Sequence, residues 1–248
     1  MVRSMAMTYI FLVAGKGTRL HPITLSYPKT LFKLDDNVTV IQRMVNMIQR
    51  YDKDAKFIVV TGFMDQQIRN ELSGVTFVYN PFYSVTNSIA SLWFARDLFA
   101  DDDNITILNG DIVMEDSLIE DILTKKTDKP IVLLDSSVKK DGDYNVQVNG
   151  DCVVVMSKGL DEYCGEYAGV LKLDKASIKP YMAEVESMIH DGKHDQWFED
   201  ALVEMIFKDN FKLYYSDVSK YEWTEIDCVD DLVLAKKIHG HSAYNKAL

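Results

Sequence analysis

The sequence predicts an α/β fold in which a mostly parallel sheet carries helices on both faces, with a small β-hairpin elaboration in the second half. Three observations lead there. An apolar run rich in β-branched and aromatic residues, Thr8 to Val13, precedes a glycine loop and reads as a buried strand. After it, strand-like runs alternate three times with apolar residues at helical spacing, the pattern of strands joined by crossover helices. No linker, low-complexity stretch or repeat interrupts the 248 residues, so one domain is expected over 1–248, with halves of about 7–135 and 136–248.

The elements follow in order. One Arg before the first apolar run faintly imitates a signal peptide, but the run passes into a charged glycine loop without a cleavage site. It is therefore read as the first core strand, with Met1 to Ala6 a disordered extension. Val38, Ile41, Met44, Val45 and Ile48 mark a helix from Val38 to Tyr51. A strand from Phe57 to Phe63 ends near Gly62, a short helix covers Gln66 to Leu72, and a strand covers Val75 to Tyr79. The turn-rich segment Asn80 to Ser88 offers Thr86 or Asn87 as the cap of a helix from Ile89 to Phe99. A further strand ends in Asn109-Gly110-Asp111.

In the second half, Pro130 to Asp135 reads as a buried strand, and alternating apolar residues flank Asn149-Gly150-Asp151, a hairpin signal. A shorter strand near Tyr167 to Leu173 is expected next, then helices over Ile178 to Ile189 and Trp197 to Phe207. Late strands follow in Lys212 to Val218 and Trp223 to Cys228, with a closing helix from Val229 to Ile238.

The loop after the first strand is suited to phosphate. Gly15 and Gly17 can take positive φ and let backbone N–H groups approach an anion, while Lys16, Arg19 and Lys29 bring positive charge to the same place. A nucleoside triphosphate or a similar polyanion is the expected ligand. Ligands of such sheets lie beyond the carboxyl ends of the strands, so the loops at Gly15, Gly62, Asn80 to Ser88 and Asp111 should converge on one cleft. The glycine spacing fits neither GxxxxGK[ST] nor GxGxxG, because position 20 is Leu, which argues against a P-loop and a nicotinamide-binding oxidoreductase.

The net charge of −11 argues against nucleic-acid binding, which normally needs a basic face. It also means that an anionic substrate requires local cations, with a divalent ion helping further. No apolar run approaches the roughly 18 residues that span a bilayer, so no membrane partner is expected. Cys152, Cys164 and Cys228 are odd in number and widely spaced, which indicates neither a disulfide framework nor a zinc site and fits a reducing cytoplasm.

The stretch Leu12 to Leu31, LVAGKGTRLHPITLSYPKTL, resembles the signature of the sugar-1-phosphate nucleotidyltransferase family, LAAGxGxRLxPxTxxxPKxL. Leu12, Ala14, Gly15, Gly17, Arg19, Leu20, Pro22, Thr24, Pro28, Lys29 and Leu31 match, and Val13 departs. Two further segments are similar to those of the family's bacterial phosphocholine cytidylyltransferases and their phosphonate-activating relatives. These hold Asn80, Tyr83, Asn87, Ser91 and Leu92, and Glu225, Ile226, Asp227 and Asp231. The resemblance runs along nearly the whole chain.

It implies a Rossmann-like nucleotidyltransferase domain with a nucleotide-binding first half and an acceptor-binding, closing second half. The implied reaction transfers CMP from CTP to a small phosphorylated amino alcohol such as phosphocholine, or to a phosphonate analogue, releasing pyrophosphate and serving cell-surface decoration. Ala14, Gly15, Lys16, Gly17, Thr18, Arg19, Lys29, Gly62, Asn87, Ser88 and Asp111 are implied as nucleotide contacts, with Arg19 and Lys29 catalytic at the transferring phosphates. Asp111 and Asp227 are implied as ligands of Mg²⁺, an ion that takes hard oxygen donors. Their ordinary reading is as caps of the helices that follow them. Tyr144, Glu166, Tyr167, Trp197 and Glu199 are implied for the acceptor. Aromatic faces attract a quaternary ammonium, while the carboxylates of Glu166 and Glu199 suit a primary amine, as in 2-aminoethylphosphonate or an amino-acid phosphate, and both remain open alongside a plain packing role for Tyr144 and Trp197.

A phosphate monoester, with its second pKa near ~6, is already dianionic, so no general base is required and charge neutralisation is the main task. Two other functions stand beside this one: a sugar-1-phosphate nucleotidyltransferase using UTP or dTTP, and a non-catalytic nucleotide-binding regulatory module. A monomer or a homodimer fits equally.

Overall fold

The first strand of the computed structural model, β1 (Thr8–Leu12), separates the two helical layers. The structure describes residues 6–138 and 144–242, so Met1 to Met5 of the expected extension lie outside the described residues. Successive side chains of β1 point to opposite faces: Tyr9 and Phe11 enter one buried cluster, Ile10 another. The Tyr9 face is covered by α1 (Val40–Tyr51), through Ile41, Met44, Val45 and Ile48, and by Ile68 of α2 (Asp65–Glu71). The Ile10 face is covered by α3 (Ser88–Ala95), α5 (Lys175–His190) and α6 (Phe198–Asp209). Helix α1 begins at Val40 because Thr39 forms a reciprocal cap with Gln42: the Gln42 side chain accepts from the Thr39 N–H at 2.9 Å.

Among the described residues, nine strands form one sheet in the order β3-β2-β1-β4-β9-β6-β10-β8-β7. Its members besides β1 are β2 (Lys56–Thr61), β3 (Thr76–Tyr79), β4 (Asn104–Asn109), β6 (Ile131–Asp135), β7 (Asn145–Asn149), β8 (Cys152–Ser157), β9 (Gly165–Asp174) and β10 (Leu213–Asp217). Strands β3, β2, β1 and β4 pair in parallel, as their crossover helices require. β9 then runs antiparallel to both β4 and β6, while β6 and β10 are parallel again. The hairpin β7–β8, turning through Gly150 at φ 62°, joins β10 on one side. β7 also pairs with β9, so β9, β6, β10, β8 and β7 close into a ring, and the hairpin is built into the sheet.

Two expectations are corrected. β9 (Gly165–Asp174) is longer than the expected Tyr167 to Leu173, because Gly165, Glu166 and Asp174 lie outside the apolar run and join the strand through backbone pairing with Val146, Asp135 and Asn104; Gly169 within it takes φ 68°. A Cβ at Gly169 would stand 2.4 Å from Ile112 Cδ1, so only glycine lets the neighbouring segment pack there. That segment is the second correction: the chain continues past Asp111 into β5 (Ile112–Met114), which pairs antiparallel with β11 (Trp223–Glu225). The Ile226 N–H donates to the Asp111 carbonyl at 3.1 Å and prolongs this two-stranded ribbon. A short helical segment, α4 (Asp116–Leu118), runs into a wider turn over Ile119–Leu123. The last helix, α7 (Val229–His241), packs Ala235 and Ile238 into a third cluster with Leu20, Phe32, Val113 and Ile226, tying the glycine loop to the ribbon. Among the described residues, no helix is long and apolar enough to cross a membrane.

The approach of the β1 and β4 ends leaves no room for a side chain at Gly110, where a Cβ would stand 2.0 Å from Val13 Cγ1. Gly110→Ala is therefore expected to destabilise the protein by about 1–3 kcal/mol, the usual cost of overpacking. Adding Val13→Ala should restore part of the loss. Chemical denaturation of the two single variants and the double variant checks this, and strictly additive effects would contradict the contact.

Candidate active site

The glycine loop is shaped by its uncharged residues. Gly17 sits at φ 62° and starts the turn Thr18–Leu20, and Thr24 closes the loop by donating its hydroxyl to the Gly17 carbonyl at 2.7 Å. Lys29 begins a second turn, Lys29–Leu31, pinned by the Thr30 hydroxyl, which donates to the Gly110 carbonyl at 2.6 Å. Gly15 departs from the expectation of positive φ: Gly17 takes it and Gly15 does not. A Cβ at Gly15 would meet nothing within 4 Å, so the glycine leaves open space beside its backbone.

Lys29 and the ribbon bring charges together. The Lys29 ammonium pairs with the Asp111 carboxylate and, at 3.0 Å, with Asp227 Oδ1, while Arg19 Nη2 meets the same Asp227 oxygen at 2.8 Å. Asp111 immediately precedes β5 and Asp227 follows β11, so antiparallel pairing makes neighbours of residues distant in sequence. Beside them Glu225 accepts from Asn109 Nδ2 at 3.2 Å. Burial opposes the charge of Lys29, but attraction by Asp111, Asp227 and Glu225 outweighs it and holds the ammonium above the ordinary lysine range. Burial pushes the Asp227 carboxyl up against the pull of Lys29, and burial together with Asp111 pushes Glu225 well up. Removing one partner of such a buried pair typically costs about 3–5 kcal/mol, because the other charge is left uncompensated.

Asp111 and Asp227 converge on one cation, and two carboxylates in that relation fit a hard divalent ion such as Mg²⁺, which completes its shell with water or substrate phosphate. Among the described residues no group of three or more His, Cys, Asp or Glu could hold a metal by itself.

Arg19, Lys29, Asp111 and Glu225 line a cavity of ≈ 240 Å³, together with Ala14, Gly15, Asn87 and Ser88. Asn87 caps α3, its side chain accepting from the Ser88 N–H at 2.8 Å. Asn80 is buried and holds the preceding segment by donating to Ser91 Oγ at 3.0 Å and Thr86 Oγ1 at 3.1 Å. Other candidates from the sequence stand outside the lining. Lys16 lies over the Tyr83 ring, 5.9 Å from its centre. Gly17 and Thr18 form the turn, and Asp227 reaches the cavity through Lys29 and Arg19. At Gly62 a Cβ would stand 2.5 Å from Tyr83 Cβ and 2.9 Å from Ala14 Cβ, so the glycine admits Tyr83, itself a lining residue.

Tyr144, Tyr167, Trp197 and Glu199 line the same cavity. Tyr144 meets Trp197 edge-to-face at 5.8 Å and Tyr167 at 6.2 Å. Its hydroxyl donates to Asp200 at 2.6 Å, whose other oxygen accepts the Trp197 N–H at 2.9 Å. Glu199 is buried here, and burial pushes its carboxyl up to about 8. Glu166 lies apart from the lining, on β9 opposite Asp135 and Asn145. Sequence reading missed Lys158, whose ammonium lies 4.5 Å from the centre of the Trp197 ring, as well as Glu225, Asn109 and Tyr83 as lining groups. Tyr83 and Glu225 stand inside the segments quoted for the resemblance, so a signal existed; a single lysine in a turn gives none.

Residues 8–142 match the nucleotidyl transferase family. The choline-phosphate cytidylyltransferase of Streptococcus pneumoniae is 25% identical over 231 residues, covering 91% of this chain and 95% of that protein. The CTP:phosphoglutamine cytidylyltransferase of Campylobacter jejuni is 23% identical over 249 residues, covering 91% and 98%. Among solved structures, the CTP:phosphocholine cytidylyltransferase of S. pneumoniae superposes with a TM-score of 0.75 at 20% identity, covering 95% of this chain and all of that one, a likeness of fold.

Glu199 yields a prediction about pH. Its carboxyl holds a proton more tightly in the folded chain than the ordinary value of 4.5 allows, so native stability falls as pH rises from there to about 8. Glu199→Gln should be more stable than the parent at pH 8.5, by on the order of a few kcal/mol, and equal to it near pH 5. Urea titrations of both proteins across that range check this, and a pH-independent difference would contradict it.

Proposed function

The chain belongs to the nucleotidyl transferase family, and we propose that it is a cytidylyltransferase that transfers CMP from CTP to a small phosphorylated amino alcohol such as phosphocholine, or to its phosphonate analogue, releasing pyrophosphate. One observation carries the reading: the Lys29, Arg19, Asp111 and Asp227 charge cluster shares a single cleft with Tyr144, Tyr167, Trp197 and Glu199. The first group suits a polyphosphate. The second suits a cation, since ring faces attract ammonium groups and a bound cation would favour the ionised form of the buried Glu199 carboxyl. Lys158 already holds its ammonium over Trp197, which supports that ring as a cation-accepting surface. Cytidine as the base is supported by the two relatives, each of which is named a cytidylyltransferase.

In this reading a phosphate oxygen of the acceptor forms a bond to the α-phosphorus of CTP, and the bond to the bridging oxygen breaks as pyrophosphate leaves. Lys29 and Arg19 neutralise charge on the reacting phosphates, and Gly15 opens the backbone to them. Asp111 and Asp227 would hold Mg²⁺, which supplies charge neutralisation to the polyphosphate when bound. No residue must remove a proton, because the attacking oxygen is already ionised.

Pyrophosphate release by the pure protein with CTP, UTP or dTTP, each against phosphocholine, 2-aminoethylphosphonate and glucose-1-phosphate, tests the assignment. Release with CTP and an amino-alcohol phosphate is expected; release only with the sugar phosphate would overturn it. Asp111→Asn and Asp227→Asn should each abolish turnover while far-UV circular dichroism stays unchanged, and Lys29→Met should lower kcat/KM by ~10²-fold or more.

A further inference from the structure

We propose that Ser88 is a positioning residue for the acceptor wall, its hydroxyl oxygen accepting the Phe198 N–H and thereby fixing the first turn of α6 that carries Trp197 and Glu199. The inference rests on the assignment of those two residues to the acceptor. It changes the role of Ser88, which the sequence places among the nucleotide contacts.

The first N–H groups of a helix have no partner within the helix and need acceptors from elsewhere. At α6, Asp200 takes the Trp197 N–H at 2.9 Å. Phe198 is completely buried, so water cannot serve its N–H, and the acceptor is Ser88 Oγ at 3.0 Å, from the start of α3. The Phe198 carbonyl is held as well, by the Tyr181 hydroxyl at 2.8 Å.

Two more hydrogen bonds join the same segments: Asn87 N–H to the His194 carbonyl at 3.0 Å, and Ile89 N–H to the Gln196 carbonyl at 3.3 Å. Both are backbone to backbone and survive any ordinary substitution. The Ser88 bond depends on the side chain, so it is the part of the junction that the sequence specifies. Ser88 also lines the cavity, so one residue borders the nucleotide side and holds the opposite wall. Loss of its oxygen leaves a buried amide unpaired, which is relieved when the first turn of α6 shifts. Such a shift moves the Trp197 ring against Tyr144 and Glu199 against Tyr167, and a misplacement of about 1 Å in a positioning group is enough to weaken binding strongly.

The test compares wild type, Ser88→Ala and Ser88→Thr. Ser88→Ala should raise the KM for phosphocholine about tenfold and that for CTP much less, and Ser88→Thr, which keeps the oxygen, should restore the wild-type value. Amide hydrogen exchange in the ligand-free proteins should show protection of Phe198 lost in Ser88→Ala and kept in Ser88→Thr. Should Ser88→Ala fail to fold, Ser88→Cys, a poorer acceptor of similar size, should give the same pattern in smaller measure. Equal losses for both substrates, or unchanged protection of Phe198 in Ser88→Ala, would overturn the proposal. Should wild type accept neither CTP nor phosphocholine, the functional reading falls, and exchange at Phe198 alone decides for or against the link.

Discussion

The ammonium of Lys29, set between the carboxylates of Asp111 and Asp227, is the interaction on which the arrangement of the cleft depends. The protein is acidic overall, and it directs three carboxylates, those of Asp111, Glu225 and Asp227, into one partly buried place. Without a cation there, mutual repulsion in a medium less polar than water would separate them. Much of the local structure keeps Lys29 in position: Thr30 bonds the Gly110 carbonyl, Leu31 is buried against α1, and α7 packs beneath the loop through Ala235 and Ile238. The charge centre and the third apolar cluster are therefore two sides of one construction.

The sheet supplies the other constraint. Its parallel strands deliver β1 and β4 side by side, and their carboxyl ends approach so closely that Gly110 packs on Val13. Gly62 does the same for Tyr83, bringing the Asn80 to Ser88 segment over the cleft. The ring closed by β7 and β9 sets Tyr144 and Tyr167 near each other: the Tyr167 N–H donates to the Tyr144 carbonyl at 2.8 Å. Side chains that touch the two substrates in the proposed reaction thus come from two differently built parts of one sheet.

The glycine loop was legible because its shape is set locally, while the partners of Lys29 and Thr30 lie far along the chain. Gly17 needs its positive φ, Thr24 bonds the nearby Gly17 carbonyl, and Lys29 follows a proline that fixes the turn. The α1 face and the Asn149-Gly150-Asp151 hairpin were legible for the same reason, since periodicity and turn chemistry are short-range signals. What escaped was long-range or brief. β5 and β11 have three residues each, too few to show alternation, and their pairing joins distant segments. The full length of β9 escaped because Gly165, Glu166 and Asp174 carry no apolar pattern and join it only through backbone pairing with β7, β6 and β4. Lys158 and the Ser88 to Phe198 bond have no pattern in the sequence, since both depend on where the ring and α6 arrive.

The β5–β11 ribbon also bears on how the chain is made. Its two strands are separated by the whole second half of the sheet, and contacts of such span carry a large loop-closure entropy and slow folding. Strands β1, β2 and β4 pair with one another without that later chain, so Lys29 and Asp111 can meet early in synthesis, whereas the packing of α7 beneath the glycine loop comes later. Asp227 joins only when β11 docks. Chemical competence therefore arrives as one of the last steps of folding, and an unfinished chain holds the cradle without its second carboxylate.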